Sequence, residues 1–201
     1  EKYSIVFEDD VILLENFSEK VLRVMNGDMN VSQEQLDLIP KEGPLIVVAN
    51  HPYGGIEGLA LMALLRRVRP DVKLMANYLL GKVPSLQDDL FKVNPFENGK
   101  GGSLSGIRGA MKWVKQGHVL GVFPAGEVSS FQPKRGAVAD KEWSGVIGSM
   151  IRKTGADVQC VYFDGHNSRI FQTIGLVHPT LRTLMLPRAF LKTRNRELKA
   201  R

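Results

Sequence analysis

From residue 43 onward the chain alternates between two textures. Short runs at 45–49 and 119–123 are apolar on both faces, the pattern of strands buried within a parallel sheet, and 72–76 and 158–163 read as further strands. Between them, apolar residues recur every three or four positions. Residues 59–65 are apolar almost all round and end in Arg66-Arg67. Leu104, Ile107, Met111 and Val114 make one face after Ser103 and before Gly117. Trp143, Val146, Ile147, Met150 and Ile151 make another between Asp140 and Gly155. The alternation predicts an α/β fold, a mixed, largely parallel sheet flanked by helices on both faces.

Residues 1–40 read differently. Leu14, Phe17, Val21 and Met25 fall at helical spacing between Asp9 and Gly27, and Gly27 stands as a stop. Ser32 followed three residues later by Gln35 forms a capping box for a second, short helix that must end before Pro40. The expected organisation is a helical appendage over 1–40 ahead of one compact unit over 41–201.

Composition narrows the class. With 201 residues, 43% hydrophobic and 24% charged, the chain can bury a core, which excludes a disordered chain, and a single cysteine excludes a disulfide scaffold. No apolar stretch approaches the roughly 20 residues that span a bilayer, so a peripheral protein is expected rather than a spanning one. The net charge of +6 is uneven: residues 1–40 carry 3 basic and 9 acidic side chains, residues 182–201 carry 7 basic and 1 acidic. A basic terminal segment suits nucleic acid, an anionic bilayer or an anionic cofactor equally, and charge alone names none of them.

Polar residues just beyond the carboxyl ends of parallel strands are the natural site builders of such a sheet. Two loops qualify, 50–57 after the first strand and 123–129 after the third. The first holds His51 and Glu57; an imidazole takes a proton near neutral pH, and a carboxylate on its far nitrogen fixes tautomer and orientation. That is half of a hydrolase triad. The other half is missing, since Ser103 has Gly101 before it but Ser105 after it and no serine meets Gly-x-Ser-x-Gly. Cys160, inside an apolar run, is expected to be buried and inert. His51, His118, His166 and His178 lack metal-ligand spacing, so no metal is expected, and the glycines at 99, 101 and 102 match no phosphate loop. A general base without a protein nucleophile suits direct attack by a substrate hydroxyl.

These residues resemble a family. Asn50-His51-Pro52-Tyr53-Gly54-Gly55-Ile56-Glu57-Gly58, followed by Phe123-Pro124-Ala125-Gly126-Glu127, is similar to the first and third blocks of the lysophospholipid, or glycerolipid, acyltransferase superfamily. The closest likeness is to its bacterial putative-hemolysin branch, which includes acyltransferases of ornithine and glycine lipids. Val93-Asn94-Pro95-Phe96 stands where the second block belongs and Val158-Gln159-Cys160-Val161-Tyr162-Phe163 where the fourth does. Gly165-His166-Asn167-Ser168 and Leu181-Arg182-Thr183-Leu184 also look like that branch. The resemblance covers roughly residues 40–192 and implies a glycerol-3-phosphate acyltransferase-like fold.

It also implies a chemistry. His51 would deprotonate the hydroxyl of a lyso-lipid, which attacks the thioester of acyl-CoA or acyl-carrier protein, with Glu57 orienting the histidine and neither cofactor nor acyl-enzyme required. Substrate contacts would come from Asn50, Lys92, Asn94, Phe123, Pro124, Ala125, Gly126 and Glu127. The expected partners are lyso-lipid, acyl donor and a membrane surface, not nucleic acid, at the cytoplasmic face of the inner membrane. Two departures stand out. Four residues separate the family's histidine from its aspartate, whereas five separate His51 from Glu57. Ala125 replaces the glutamate of the third block, leaving Glu127 or the amides around Gly126 to shape the acceptor pocket. Lys92 and Asn94 stand nearest to the arginine that usually holds an acceptor phosphate, which favours an amino-acid lipid or another lyso-lipid. The rival is a decayed lipid- or protein-binding module.

Overall fold

A computed structural model describes residues 17–27, 29–77, 80–93, 102–177, 179–195 and 197–201. Its centre is a five-stranded sheet of β2 (Leu45–Ala49), β3 (Val72–Asn77), β4 (Leu90–Val93), β5 (Val119–Val122) and β8 (Asp157–Val161), in the order β4-β3-β5-β2-β8. Every pairing in it is parallel. Before it come α1 (Phe17–Val24), β1 (Met29–Asn30) and α2 (Gln33–Asp37). Helix α3 (Ile56–Arg66) links β2 to β3 and α4 (Gly102–Lys115) precedes β5. The hairpin of β6 (Ser130–Gln132) and β7 (Ala137–Ala139) and helix α5 (Gly145–Thr154) link β5 to β8. Helices α6 (Arg169–Val177), α7 (Pro179–Leu184) and α8 (Leu186–Leu191) follow, and β9 (Leu198–Lys199) pairs in parallel with β1. No helix among the described residues is long and apolar enough to cross a membrane.

Side-chain alternation along the central strands divides the interior. Leu45, Val47 and Ala49 of β2 point into one core with Ile56, Ala60, Leu61 and Leu64 of α3, where Leu22 and Met25 also pack. Ile46 and Val48 point into a second core with Ala110 and Val114 of α4 and Ile147 and Met150 of α5. Helix α3 is apolar almost all round because it lies between the sheet and α1, where Ser18 Oγ donates to Met62 Sδ at 3.1 Å. The capping box of α2 is present as read: Gln35 N–H donates to Ser32 Oγ and Ser32 N–H donates to Gln35 Oε1.

Two local expectations need correction. Cys160, expected to be buried, is exposed: its strand β8 lies at the sheet edge, pairing with β2 alone, and Val158 is 45% exposed as well. β-branched residues suit an edge strand as well as a central one, so the run by itself did not fix burial. Trp143 lies ahead of α5, not on it; Ser144 caps the helix and the Trp143 indole N–H donates to Asp140 Oδ2. Of the helix expected between Asp9 and Gly27, residues 17–24 are helical and 9–16 lie outside the described residues.

The topology makes a crevice. Strands β2 and β5 are neighbours in register, Val48 opposite Val122, so the loops after them leave the sheet at one level. The helices they lead to, α3 and α5, pack on opposite faces of the sheet. Loops that diverge in this way open a cleft at the strand ends.

Candidate active site

His51 stands two residues beyond the last residue of β2. Its ring is 18% exposed, and its main chain is clamped from both sides by the segment that follows β5: Ser129 N–H donates to the His51 carbonyl at 2.8 Å, and the His51 N–H donates to Asp140 Oδ1 at 3.2 Å. Asp140 Oδ1 also accepts from the Ser129 hydroxyl. The ring of Phe123, the first residue after β5, stacks on the imidazole at 4.4 Å.

Glu57 lies in the first turn of α3 with its side chain fully buried. Its Oε1 accepts the backbone N–H of Tyr53 and of Gly54, both at 2.7 Å, and Oε2 accepts that of Gly55 at 3.0 Å. These donors belong to the turn leading into the helix, where a negative charge is favoured by the helix dipole. The same Oε1 lies 2.9 Å from His51 Nδ1. Nδ1 is buried, and its N–H direction is poorly aligned on the oxygen, so the contact is a close approach of ring nitrogen and carboxylate rather than a straight hydrogen bond. Burial, the largest single influence, would raise the Glu57 pKa; the charge of His51, its contact, and backbone N–H groups of Gly54 and Glu57 outweigh it and hold the carboxyl below its ordinary range. Glu57 is therefore a carboxylate beside an imidazole. Nε2, on the far side of the ring, has no hydrogen-bond partner among the described residues.

The five-residue spacing closes because Gly54 turns the chain in the left-handed region, φ +94°, and because glutamate carries one more methylene than aspartate. A Cβ at Gly54 would also lie 2.6 Å from Leu186 Cδ2 and from Val128 Cγ2, so glycine is required for space as well as for conformation.

A segment after β8 braces this turn. Asn50 uses both ends of its amide on Phe163, donating to its carbonyl at 2.9 Å and accepting its N–H at 2.7 Å. Tyr53 Oη donates to the Asp164 carbonyl at 2.9 Å, and buried Asn167 donates from Nδ2 to the Tyr53 carbonyl at 2.9 Å and the Pro52 carbonyl at 3.4 Å.

The remaining expected site residues fall in three groups. Phe123, Pro124, Ala125, Gly126 and Glu127 form the loop beside His51, but the Gly126 N–H closes a turn onto the Phe123 carbonyl. Glu127 faces two cations, Arg182 at 2.6 Å and Lys141 at 2.7 Å, so its charge is already balanced by protein groups. Lys92 is exposed on β4, separated from β2 by β3 and β5, about 14 Å at ordinary strand spacing. Asn94 lies outside the described residues. A surface depression lined by Phe17, Arg66 and Asp89 sits at the other end of α3, roughly 15 Å of helix from Glu57, and shares no residue with the His51 loops. Convergence of the two loops, rather than that hollow, marks the site.

Sequence reasoning missed Asp140 as a site residue, reading it only as a helix boundary. It also gave Asn167 no role beyond the block that contains it, and counted Arg182 only in its block and among the basic residues of the C-terminal segment. Their partners are main-chain atoms or residues more than 50 positions away, which no local spacing encodes.

Comparison with known proteins supplies relatives for this arrangement. The lyso-glycine lipid O-acyltransferase of Phocaeicola vulgatus is 31% identical over 153 residues, 73% of this chain and 51% of that protein. The protein of the same name from Bacteroides thetaiotaomicron is 31% identical over 155 residues, 75% of this chain and 54% of its own length. The chain thus spans about half the length of the curated relatives it matches. The crystal structure of the 1-acyl-sn-glycerophosphate (LPA) acyltransferase PlsC from Thermotoga maritima superposes with a TM-score of 0.54 at 23% identity, covering 74% of this chain and 55% of that one, a likeness of fold. No family model matches.

Proposed function

The chain belongs to the lysophospholipid and glycerolipid acyltransferase superfamily, and on that premise we propose that it carries the acyl-transfer site of a lyso-lipid O-acyltransferase. The observation that carries this reading is the approach of His51 Nδ1 to the buried Glu57 carboxylate at 2.9 Å, with Nε2 left unengaged by the described residues. In the proposed reaction the acceptor hydroxyl gives its proton to Nε2 as its oxygen bonds to the thioester carbonyl carbon. The tetrahedral intermediate then expels the thiolate, which recovers the proton from the imidazolium, leaving an ester and a free thiol. Glu57 stabilises the imidazolium and fixes the ring. No serine or cysteine of the chain is acylated.

The donor is acyl-CoA or acyl-carrier protein, and the acceptor is a lyso-amino-acid lipid, the class named for both curated relatives. A protein acting on such substrates works at the bilayer surface, and the proposed place is peripheral, on the cytoplasmic face of the inner membrane.

The test is thiol release from purified protein with acyl-CoA and acyl-carrier protein, against a panel containing lyso-glycine lipid, lyso-ornithine lipid and lysophosphatidic acid. Release should require acceptor and fall roughly 100- to 10,000-fold in His51→Ala. Release into water without acceptor would make the protein a hydrolase. No release with any pair, unchanged by His51→Ala, would support a binding module.

A further inference from the structure

We propose that the outward face of α7 and α8 is the surface through which this domain meets an anionic bilayer, and that it holds the His51 cleft at the lipid boundary. Helix α8 has two sides. On the inner side Leu186 and Phe190, four residues apart, press on the turn ahead of Glu57: a Cβ at Gly54 would lie 2.6 Å from Leu186 Cδ2 and one at Gly55 would lie 3.2 Å from Phe190 Cδ2. Away from that contact, Leu191 at the end of α8 is 67% exposed and Leu184 at the end of α7 is 72% exposed, with Arg188 and Lys192 exposed as well. Leu181 is exposed on α7. Large aliphatic side chains alternating with cations are costly to leave in water and match a lipid surface, whose acyl boundary takes the leucines while anionic headgroups take the charges.

The structure also sorts the cations of the C-terminal segment. Arg182 is buried on Glu127, and Arg201 and Lys199 approach Asp164 and Glu197. Among the described residues no ion pair engages Arg188, Lys192 or Arg194. The charges free to meet headgroups are therefore those on and just after α8, the helix packed on the catalytic turn. Occupancy of its outer face would place the mouth of the cleft where a lyso-lipid hydroxyl lies.

This inference rests on the acyltransferase reading for its purpose, but its first readout needs no turnover. Full-length protein is mixed with vesicles of phosphatidylcholine alone or with 30% phosphatidylglycerol, and the bound fraction is measured by sedimentation. Arg188→Gln with Lys192→Gln should weaken binding to the anionic vesicles about fivefold per charge, and added salt should abolish the difference from wild type. Leu184→Asp with Leu191→Asp should reduce binding to both kinds of vesicle. Both double variants should keep normal turnover on a short-chain, monomeric lyso-lipid and lose it on vesicle-borne substrate. Wild-type binding by both would overturn the proposal. So would loss of affinity for acyl-carrier protein with vesicle binding intact, which would assign the face to a protein partner. Failure of turnover with every substrate, alongside the expected vesicle results, would sink the catalytic reading and leave this surface standing.

Discussion

The ring of Phe123 lies against the ring of His51, centroids 4.4 Å apart and planes inclined by 27°. The two residues come from loops 72 positions apart in sequence but side by side in space, because β5 and β2 are neighbours in the sheet. A Cβ at Gly58 would lie 3.8 Å from Phe123 Cε2, so the phenyl ring also rests on the first turn of α3. Phe123 thus fixes the plane of the imidazole while Glu57 fixes its rotation.

Phe123→Ala should therefore do two things. Loss of a half-buried phenyl ring should cost about 1–3 kcal/mol, less than in a full core. Turnover should fall between about 10- and 100-fold through misplacement of the base. Phe123→Leu separates the effects: thermal denaturation should return near wild type while turnover stays depressed. Normal turnover in Phe123→Leu would show that the stacked ring is dispensable.

Glu57→Gln keeps size and burial but replaces one acceptor oxygen by a donor. The carboxylate now receives three backbone N–H groups and faces His51, so the amide must point its NH2 at a donor or at the imidazole. A buried N–H left without an acceptor costs about 1–3 kcal/mol. The pH dependence has a definite sign. The folded pKa of Glu57 lies below its ordinary 4.5, so the unfolded chain binds more protons in the interval between them. The stability it contributes is full above the unfolded value and is lost as pH falls through the folded one. Denaturation across that acid interval should be less pH-dependent in Glu57→Gln than in wild type. An unchanged acid limb would remove Glu57 from the linkage.

The sheet and its loops were legible because parallel strands buried on both faces leave unbroken apolar runs, and because strand-end loops collect glycine, proline and polar residues. His51 and Glu57 stood out for that reason. Edge position was not legible: the apolar run of β8 reads like that of β2, yet one has a neighbour on one side only, and Cys160 is exposed as a result. Nor were the braces legible. Asp140 reaches His51 from 89 positions away and Asn167 reaches Tyr53 from 114, contacts made by topology rather than by spacing. Glu127 shows the converse. Its place beside His51 was foreseen, but its charge is taken up by Arg182 and Lys141, one of them from a helix whose docking no local pattern announces.

The brace after β8 gives a prediction independent of the imidazole. Asn167→Ala removes the two donations to the Pro52 and Tyr53 carbonyls, and Gly165→Ala would place a Cβ 2.1 Å from Tyr53 Oη at φ +98°. Both should loosen the turn that supplies the N–H groups around Glu57, lowering turnover and raising protease sensitivity at residues 52–55. Gly165→Ala should be the more severe, since left-handed strain of about 1–3 kcal/mol adds to the collision. Full activity in both variants would show that the turn is held by α3 alone.

Asp140 supplies the last prediction. Its carboxylate accepts from three donors of different kinds: the His51 main-chain N–H and the Ser129 hydroxyl on Oδ1, and the Trp143 indole N–H on Oδ2 at 3.0 Å. An asparagine has one acceptor oxygen, so Asp140→Asn must turn its NH2 either toward the indole or toward His51 and Ser129. The hydroxyl can rotate and the indole lies near the surface, but the His51 N–H is held in the turn that follows β2, where Ser129 N–H also grips the His51 carbonyl, so the amide oxygen should keep to His51 and the indole should lose its partner. The expected result is a modest loss of turnover, with Trp143 fluorescence shifted as the indole is released. Asp140→Ala removes every acceptor and should depress turnover about 10- to 100-fold through displacement of the His51 main chain. Because Asp140 touches the main chain and not the ring, the shape of the pH–rate profile should be that of wild type in both. A displaced profile would mean that Asp140 acts on the imidazole electrostatically, and equal turnover in wild type and Asp140→Ala would show that the Ser129 N–H suffices to hold His51.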